Sequence, residues 1–281
     1  MNQSIIAASV SMSGIQRKID VISDNVANVD TYGYKRKTAS FADVLTNVTQ
    51  QHQNFEQPGR ATPLGFTNAY GSRMTGVMRD YSMGEVNITN VPTDFALIGD
   101  GLFEINTPDG LAYVREGNFQ MTPQEGGVGL LTTKDGDVVR GLKDGNEVEF
   151  RIRVQDGFQM KVDEQGRVFE VNPTTGEQNE LGALSLLFPK RPELLEQVAD
   201  NKYIIPEGID PASVLLRWDL TQPVADGIVP LKVHQGALET SNVSLIDEMS
   251  DLIQAQRAYQ MASRALSSAD QMWGLANSIR G

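Results

Sequence analysis

The side chains able to carry chemistry in this 281-residue chain are few and widely spaced. Its two histidines are His52 and His234. Neither has a second histidine or a carboxylate at ligand spacing, which argues against a zinc site. With no cysteine there is no thiolate nucleophile, disulfide framework or cysteine-held metal. The glycine clusters EGGVGLL (125–131) and IGDGLF (98–103) fall short of a phosphate loop. Such a loop needs a helix after it and a closing Lys-Ser or Lys-Thr, whereas β-turn sequence follows both. DGDVVRGLKDGNEVE (135–149) offers acids at calcium-like offsets but lacks the full ligand ladder, so it reads as hairpin turns. Paired carboxylates could cleave glycosides, yet among 36 acids nothing selects a pair. No catalytic, metal or cofactor-binding residue is assigned, and no cofactor or small-molecule substrate is expected.

One stretch asks for a different explanation. SDNVANVDTYGYKRK (23–37) ends in aromatic and basic residues that could grip nucleic acid, or it is the end of a helix. What precedes it favours the helix. Ile5, Ala8, Met12, Ile15, Ile19, Ile22, Val26 and Val29 alternate spacings of three and four, an unbroken heptad stripe. The residues between are small or polar, so the stripe is narrow and predicts a partner helix. Asn25 and Asn28 edge its last turns, Gly33 suits the left-handed conformation that ends a helix, and Lys35, Arg36 and Lys37 follow a C-terminus where positive charge is favoured.

The far end repeats the pattern. Ser241 and Asn242 precede a helix start with Asp247 and Glu248 in its first turn. Leu245, Leu252, Tyr259, Leu266 and Trp273 recur every seven residues, with Ala255, Ala262, Ala269 and Ala276 three behind. Between the helices, Asp-Gly pairs at 109, 135, 144 and 156 punctuate short alternating runs, the strongest short hairpin signal. The fold class expected is α+β: terminal heptad helices forming a coiled-coil layer, with a central antiparallel β barrel or sandwich inserted between them. The divisions are 1–35 (assembly helix), 36–82 (extended connector, with Phe41, Val44 and Leu45 as a helical turn), 83–235 (β domain) and 236–281 (assembly helix). RPELLEQVADNKY (191–203) reads as a short helix capping an opening.

The net charge of −12 is uneven. Residues 1–60 carry six basic and five acidic side chains, residues 236–281 three and five, and the middle fifteen and twenty-six. Near-neutral ends around an acidic centre fit ends that pack together, and argue against general nucleic-acid binding. The first residues lack a secretory leader, and no apolar run is long enough to span a bilayer.

These motifs together resemble the bacterial flagellar axial family, the rod and hook proteins of the basal body. The N-terminal signature is matched by Asn25, Asn28, Thr31, Gly33, Tyr34 and Lys35. The middle blocks are similar in FALIGDGLF (95–103) and YVREGNF (113–119). The C-terminal signature is similar in QGALETSNV (235–243), with Glu239, Ser241 and Asn242, then in Gln256, Arg257, Asp270 and Gln271. The chain departs from the family at Gln260 and Ala262, where Glu-x-Asn is usual, and at Leu102 in place of Phe.

The resemblance implies a structural, non-enzymatic subunit, most like a distal rod protein. Its partners would be other copies of itself, paralogous rod and hook proteins and the flagellar type III export apparatus. It would lie in the basal body outside the cytoplasmic membrane, exported without a cleaved signal and without membrane insertion. The alternatives are a hook or rod–hook junction subunit and, in another class, a secreted wall-binding or hydrolytic β module with helical oligomerisation arms.

Overall fold

The computed structural model describes residues 2–43, 47–49, 66–68, 72–124, 126–143, 146–153, 157–199, 201–218 and 231–280. Its α-helices are α1 (Asn2–Ala27), the one-turn α2 (Pro211–Val214) and α3 (Leu245–Arg280). The chain divides into two compact units: Met1–Ala27, Lys37–Asp80 and Ser244–Gly281 form one, and Asn28–Arg36 with Tyr81–Val243 the other. No helix is long and apolar enough to cross a membrane among the described residues.

In the first unit α1 packs against α3 and against the strands Lys37–Asp43 and Ser72–Arg79. Those strands run antiparallel from Lys37↔Arg79 to Asp43↔Ser72, with an irregularity between Ser40 and Phe41. Phe41 is therefore in a strand rather than the expected helical turn; Val44 and Leu45 lie outside the described residues. A second pair joins Asn47–Thr49 to Phe66–Asn68. On α3 the covered residues include Glu248, Leu252, Ala255, Tyr259, Ala262, Leu266 and Ala269, one stripe at alternating spacings of four and three, flanked by Asp251, Ala258 and Ser263. Side-chain alternation of bulky residues with alanine lets a neighbouring helix approach closely.

In the second unit a sheet runs in the order Gln159–Val162, Arg167–Val171, Gln178–Leu184, Val138–Lys143, Leu102–Thr107, Gly110–Val114, Lys202–Ile204 and Glu196–Ala199, with further strands branching from it. The barrel alternative is corrected here: the sheet does not close on itself. At one end the reason is visible. Val162 donates its backbone N–H to Oε1 of Gln235 at 2.9 Å, and Met160 accepts from Nε2 at 3.0 Å. A side-chain amide occupies the edge where a closing strand would bond.

The Asp-Gly signals locate turns. Pro108 and Asp109 link a hairpin closed at Thr107↔Gly110, and around Asp135-Gly136 Thr133 N–H donates to Asp137 O at 2.8 Å. Val138–Lys143 and Asn146–Glu149 pair from Lys143↔Asn146, although Asp144-Gly145 lies outside the described residues, as does Asp156. The expected helix at 191–203 is only a 3-10 turn at Pro192–Leu194, followed by the strand Glu196–Ala199. Pro192 starts a turn readily, and beyond it Glu196–Ala199 pairs antiparallel with Lys202–Ile204 as a hairpin.

The core of this unit gathers Phe95, Phe103, Phe119, Leu131, Val139, Phe150 and Ile152. Phe103 and Phe119 meet edge to face with centroids 5.2 Å apart, a favoured aromatic geometry. Leu131 is fully buried, so Leu131→Ala is expected to destabilise the unit by about 2–5 kcal/mol, read as a lower urea midpoint in equilibrium unfolding.

Candidate functional site

The site that the signature residues build is a buried charge junction inside the second unit. Lys35, Arg115 and Glu239 are 4%, 4% and 3% exposed. Lys35 Nζ lies 2.7 Å from Glu239 Oε1, and Arg115 Nε lies 2.5 Å from Oε2. The carboxylate also accepts the backbone N–H of Gly84 at 2.9 Å. Arg115 spends its remaining donors on main-chain carbonyls: Nη1 on Gly99 and Gly101 at 2.6 and 2.5 Å, and Nη2 on Leu97 at 2.7 Å. Lys35 also donates to Ser82 O at 2.8 Å. Each buried charge is thus hydrogen-bonded, the condition under which burial is tolerable.

Local structure places these three groups. Glu239 ends the strand Ala237–Glu239, paired antiparallel with Val86–Ile88. Arg115 directly follows the strand Gly110–Val114. Lys35 is delivered by a turn after α1, in which Thr31 N–H donates to Asn28 O and Tyr34 N–H to Thr31 O. Gly33 N–H then reaches Glu239 O at 2.9 Å. With φ of +67°, Gly33 is left-handed, and a Cβ there would stand 2.9 Å from the backbone of Arg115 and Glu116. Glycine is required for both reasons. Arg36 N–H donates to Asn242 Oδ1 at 2.7 Å, and Asn242 Nδ2 to Ser82 O at 3.0 Å. Tyr34 is buried beside them.

Electrostatics decide the ionisation. Burial alone would push the Glu239 carboxyl up, but Arg115 and Lys35 outweigh it and hold the group below the usual glutamate value. Burial, followed by the charge of Arg115, pushes the Lys35 ammonium below the ordinary lysine value, while Glu239 opposes them. The anion at the centre is what lets two cations sit beside each other out of water.

The structure brings Gly33, Tyr34, Lys35, Glu239 and Asn242 together and distributes the other singled-out residues elsewhere. α1 ends at Ala27, so Asn28, Val29 and Gly33 lie beyond the helix rather than within or at its end. In the α1 stripe Ile22 is buried, while Ile5, Ala8, Met12, Ile15, Ile19 and Val26 are partly covered. Asn25, 1% exposed, brackets the strand start through Lys37 O and Lys37 N at 2.8 and 2.9 Å. Lys37 itself bonds Asp24 at 2.5 Å. On α3, Ala255 and Ala269 are buried; Leu245, Trp273, Gln256, Arg257, Asp270 and Gln271 are exposed. Ser241 accepts from Val243 N–H at 3.3 Å. The side chain of Ala276 and all of His52 lie outside what is described.

Arg115 was missed by the sequence reading, although it stands in the YVREGNF block; Gly84 and Ser82 carried no signal at all. A groove of about 810 Å³ elsewhere in the unit is lined by Arg140, Glu147, Glu149 and Arg151 among others. Its charges are matched internally, Arg140 with Glu104 and Glu147 and Arg151 with Glu149. Among the described residues no cluster of three or more His, Asp or Glu could hold a metal ion.

Glu239→Gln strands two buried cations, a change that costs about 3–5 kcal/mol. Because the native carboxyl titrates below its unfolded value, its stabilisation is complete above about pH 4.3 and is lost as pH falls through the native value. Urea unfolding at pH 7 should separate wild type from Glu239→Gln by that amount, with the gap closing in acid.

Comparison with known proteins gives the same three segments a common source. Family models match at residues 10–35 (Flagella basal body rod protein), 96–170 (Flagellar hook protein FlgE/F/G D1 domain) and 234–279 (Flagellar basal body rod FlgEFG protein C-terminal). Each segment contributes one member of the junction: Lys35, Arg115 and Glu239. The chain is 31% identical over 266 residues to the flagellar basal-body rod protein FlgG of Buchnera aphidicola subsp. Baizongia pistaciae, covering 94% of this chain and 95% of that one. It is 30% identical to FlgG of Borreliella burgdorferi, covering 100% and 99%. The flagellar hook-basal body complex protein FlhP of Bacillus subtilis is 27% identical over the full length of both. The chain belongs to the flagellar basal-body rod protein family.

Proposed function

We propose that this chain is a structural subunit of the flagellar rod, assembling through its terminal segments into the tubular shaft that carries torque from motor to hook. The observation that carries this reading is the end-to-end similarity to proteins named as FlgG rod subunits. The physical design agrees with a load-bearing role. The first unit pairs two long helices drawn from opposite ends of the chain, and the second ties the segments next to both helices to one carboxylate. Within the second unit the segments that follow α1 and precede α3 are thereby held to the β strands by buried charge-assisted bonds.

In this reading residues 1–35 and 236–281 are the assembly arms, 36–82 the connector and 83–235 the β domain. The stripes from Ile5 to Val29 and from Leu245 to Ala276 form a coiled-coil inner layer, and non-closing contacts between subunits generate the filament. The site of action is the basal body beyond the cytoplasmic membrane, reached through the flagellar export apparatus. A hook-side position has one observation in its favour, the match to a hook D1 model; the rod names of the full-length relatives favour the shaft.

The test is genetic and structural together. The tagged wild-type chain should co-purify with basal bodies. Ile22→Asp or Leu252→Asp, each placing a charge on a covered helix stripe, should abolish swimming while purified protein keeps the strand-rich circular dichroism of its β unit. Normal swimming with either substitution contradicts the role of the helices. Absence of the wild-type chain from basal bodies contradicts the rod reading itself.

A further inference from the structure

In the second unit a polar side chain is turned to the inner side of its strand. Along Lys232–Gln235, Val233 is buried while Lys232 and His234 are exposed, so alternation points Gln235 to the same side as Val233. A polar group turned inward needs hydrogen-bond partners. Gln235 finds three, all on main chain: Oε1 accepts Val162 N–H at 2.9 Å, and Nε2 donates to Met160 O at 3.0 Å and to Pro92 O at 2.7 Å. Both hydrogens and the carbonyl oxygen of the amide are thereby engaged.

The bonding pattern is that of a strand residue. In a parallel ladder one residue donates its N–H to the carbonyl before its opposite number and accepts from the N–H after it. Met160 O and Val162 N–H stand in that relation to Lys161, and the Gln235 amide meets both. The backbone of Gln235 is engaged elsewhere, opposite Phe95 in the antiparallel pair with Phe95–Ile98. Main chain meets main chain at Val233, whose N–H donates to Glu164 O at 2.8 Å, and the side chain of Gln235 continues the contact. Its position is fixed by the next residue: Gly236 N–H donates to Asp94 O at 2.8 Å, and Gly236 O accepts the N–H groups of Thr89 and Asn90 at 2.8 and 2.9 Å.

The strand so covered has little other protection. Gln159–Val162 ends the sheet, and its register with Arg167–Val171 runs unbroken from Gln159↔Val171 to Val162↔Val168. It contains no proline and no bulge, Met160 and Val162 belong to the core, and Lys161 is its one charge. Other strands with a single neighbour carry devices of their own. Pro123 lies within Gln120–Gln124, the register shifts between Gln197 and Ala199 in the strand at the opposite end of the sheet, and Glu147 and Glu149 are exposed along Asn146–Glu149. Proline, bulges and charges are the usual means by which a strand edge avoids pairing with another chain.

We infer that Gln235 is a latch on this edge: its amide takes the two main-chain groups that would otherwise template a strand from a second chain, and so keeps β units from pairing edge to edge. Where copies are crowded together, an unlatched edge is a route to misassembly. The latch acts within one chain and stands whether or not the rod reading does.

The chain has no cysteine, so Lys161→Cys reports the contact by itself. If two such edges pair antiparallel about residue 161, the two 161 positions face each other as a non-hydrogen-bonded pair with Cα atoms about 4.5 Å apart, within reach of a disulfide. Under copper phenanthroline the full-length Lys161→Cys chain is expected to give no disulfide dimer, and the same chain carrying Gln235→Leu to give one. As a second measurement, amide exchange at Val162 in Gln235→Leu should speed up about tenfold, the worth of roughly one hydrogen bond, while Leu131, bonded to Phe150 O in the core, keeps its rate. With Leu131 unchanged, absence of the dimer or a wild-type rate at Val162 overturns the inference. Equal dimer with and without Gln235 also overturns it, because the edge is then open despite the amide. If Leu131 speeds up as well, cross-linking of Gln235→Glu decides. That variant keeps an acceptor for Val162 but sets a carboxylate against the carbonyls of Met160 and Pro92; a dimer is expected, and its absence overturns the inference.

Discussion

The second unit depends on a single carboxylate. Glu239 lies out of water between a lysine from the N-terminal segment and an arginine from the β unit, and its main-chain carbonyl accepts from Gly33. Two like charges could not be buried side by side without it. An apolar replacement of the whole cluster could be as stable, so stability alone does not explain why charges are used. What they add is position: a bidentate carboxylate meeting an arginine, a lysine and one backbone N–H admits one arrangement of three chain segments, where packed aliphatic groups would tolerate several.

That requirement spreads outward. Arg115 can hold Glu239 because Leu97, Gly99 and Gly101 turn three carbonyls toward its guanidinium, which fixes the loop of the FALIGDGLF block. Gly117 sits where a Cβ would be 1.8 Å from Phe95 O, so the segment after Arg115 lies directly against the same block. Gly84 similarly has no room for a side chain beside Thr240 O. The glycines around the junction are there for close approach of backbone to backbone, and the charges select which backbones meet.

Much of the architecture was legible in the sequence, for reasons of period. Seven-residue recurrence marks α1 and α3 because side-chain direction repeats with the helix, and Asp-Gly pairs mark turns because few residues accept a positive φ. The period misled at its end: Val29 keeps the spacing, yet the chain has already left the helix at Ala27 and turned at Asn28. Gly33 was legible as a left-handed residue but not in its role, since what makes glycine necessary there is the backbone of Arg115, far off in sequence. The ion cluster was invisible for the same reason. Its bonds join residues 204 and 124 positions apart, so although Glu239 was singled out as a signature residue, nothing adjacent to it in sequence named its partners. Gln235, whose amide stands in for a strand at the sheet edge, gave no local signal either, so a closed barrel stood beside a sandwich as an alternative.

The central claim is that the charge junction makes the segments flanking both terminal helices part of the β unit's cooperative core. Amide hydrogen exchange on the free subunit tests it most directly, by comparing Gly33, Arg36 and Gly84 with Leu131, whose N–H donates to Phe150 O in the core. The account predicts that all four exchange only through global unfolding, with matching protection. Exchange of Gly33, Arg36 and Gly84 about a hundredfold faster than Leu131, a local opening free energy lower by about 2.7 kcal/mol, would contradict it.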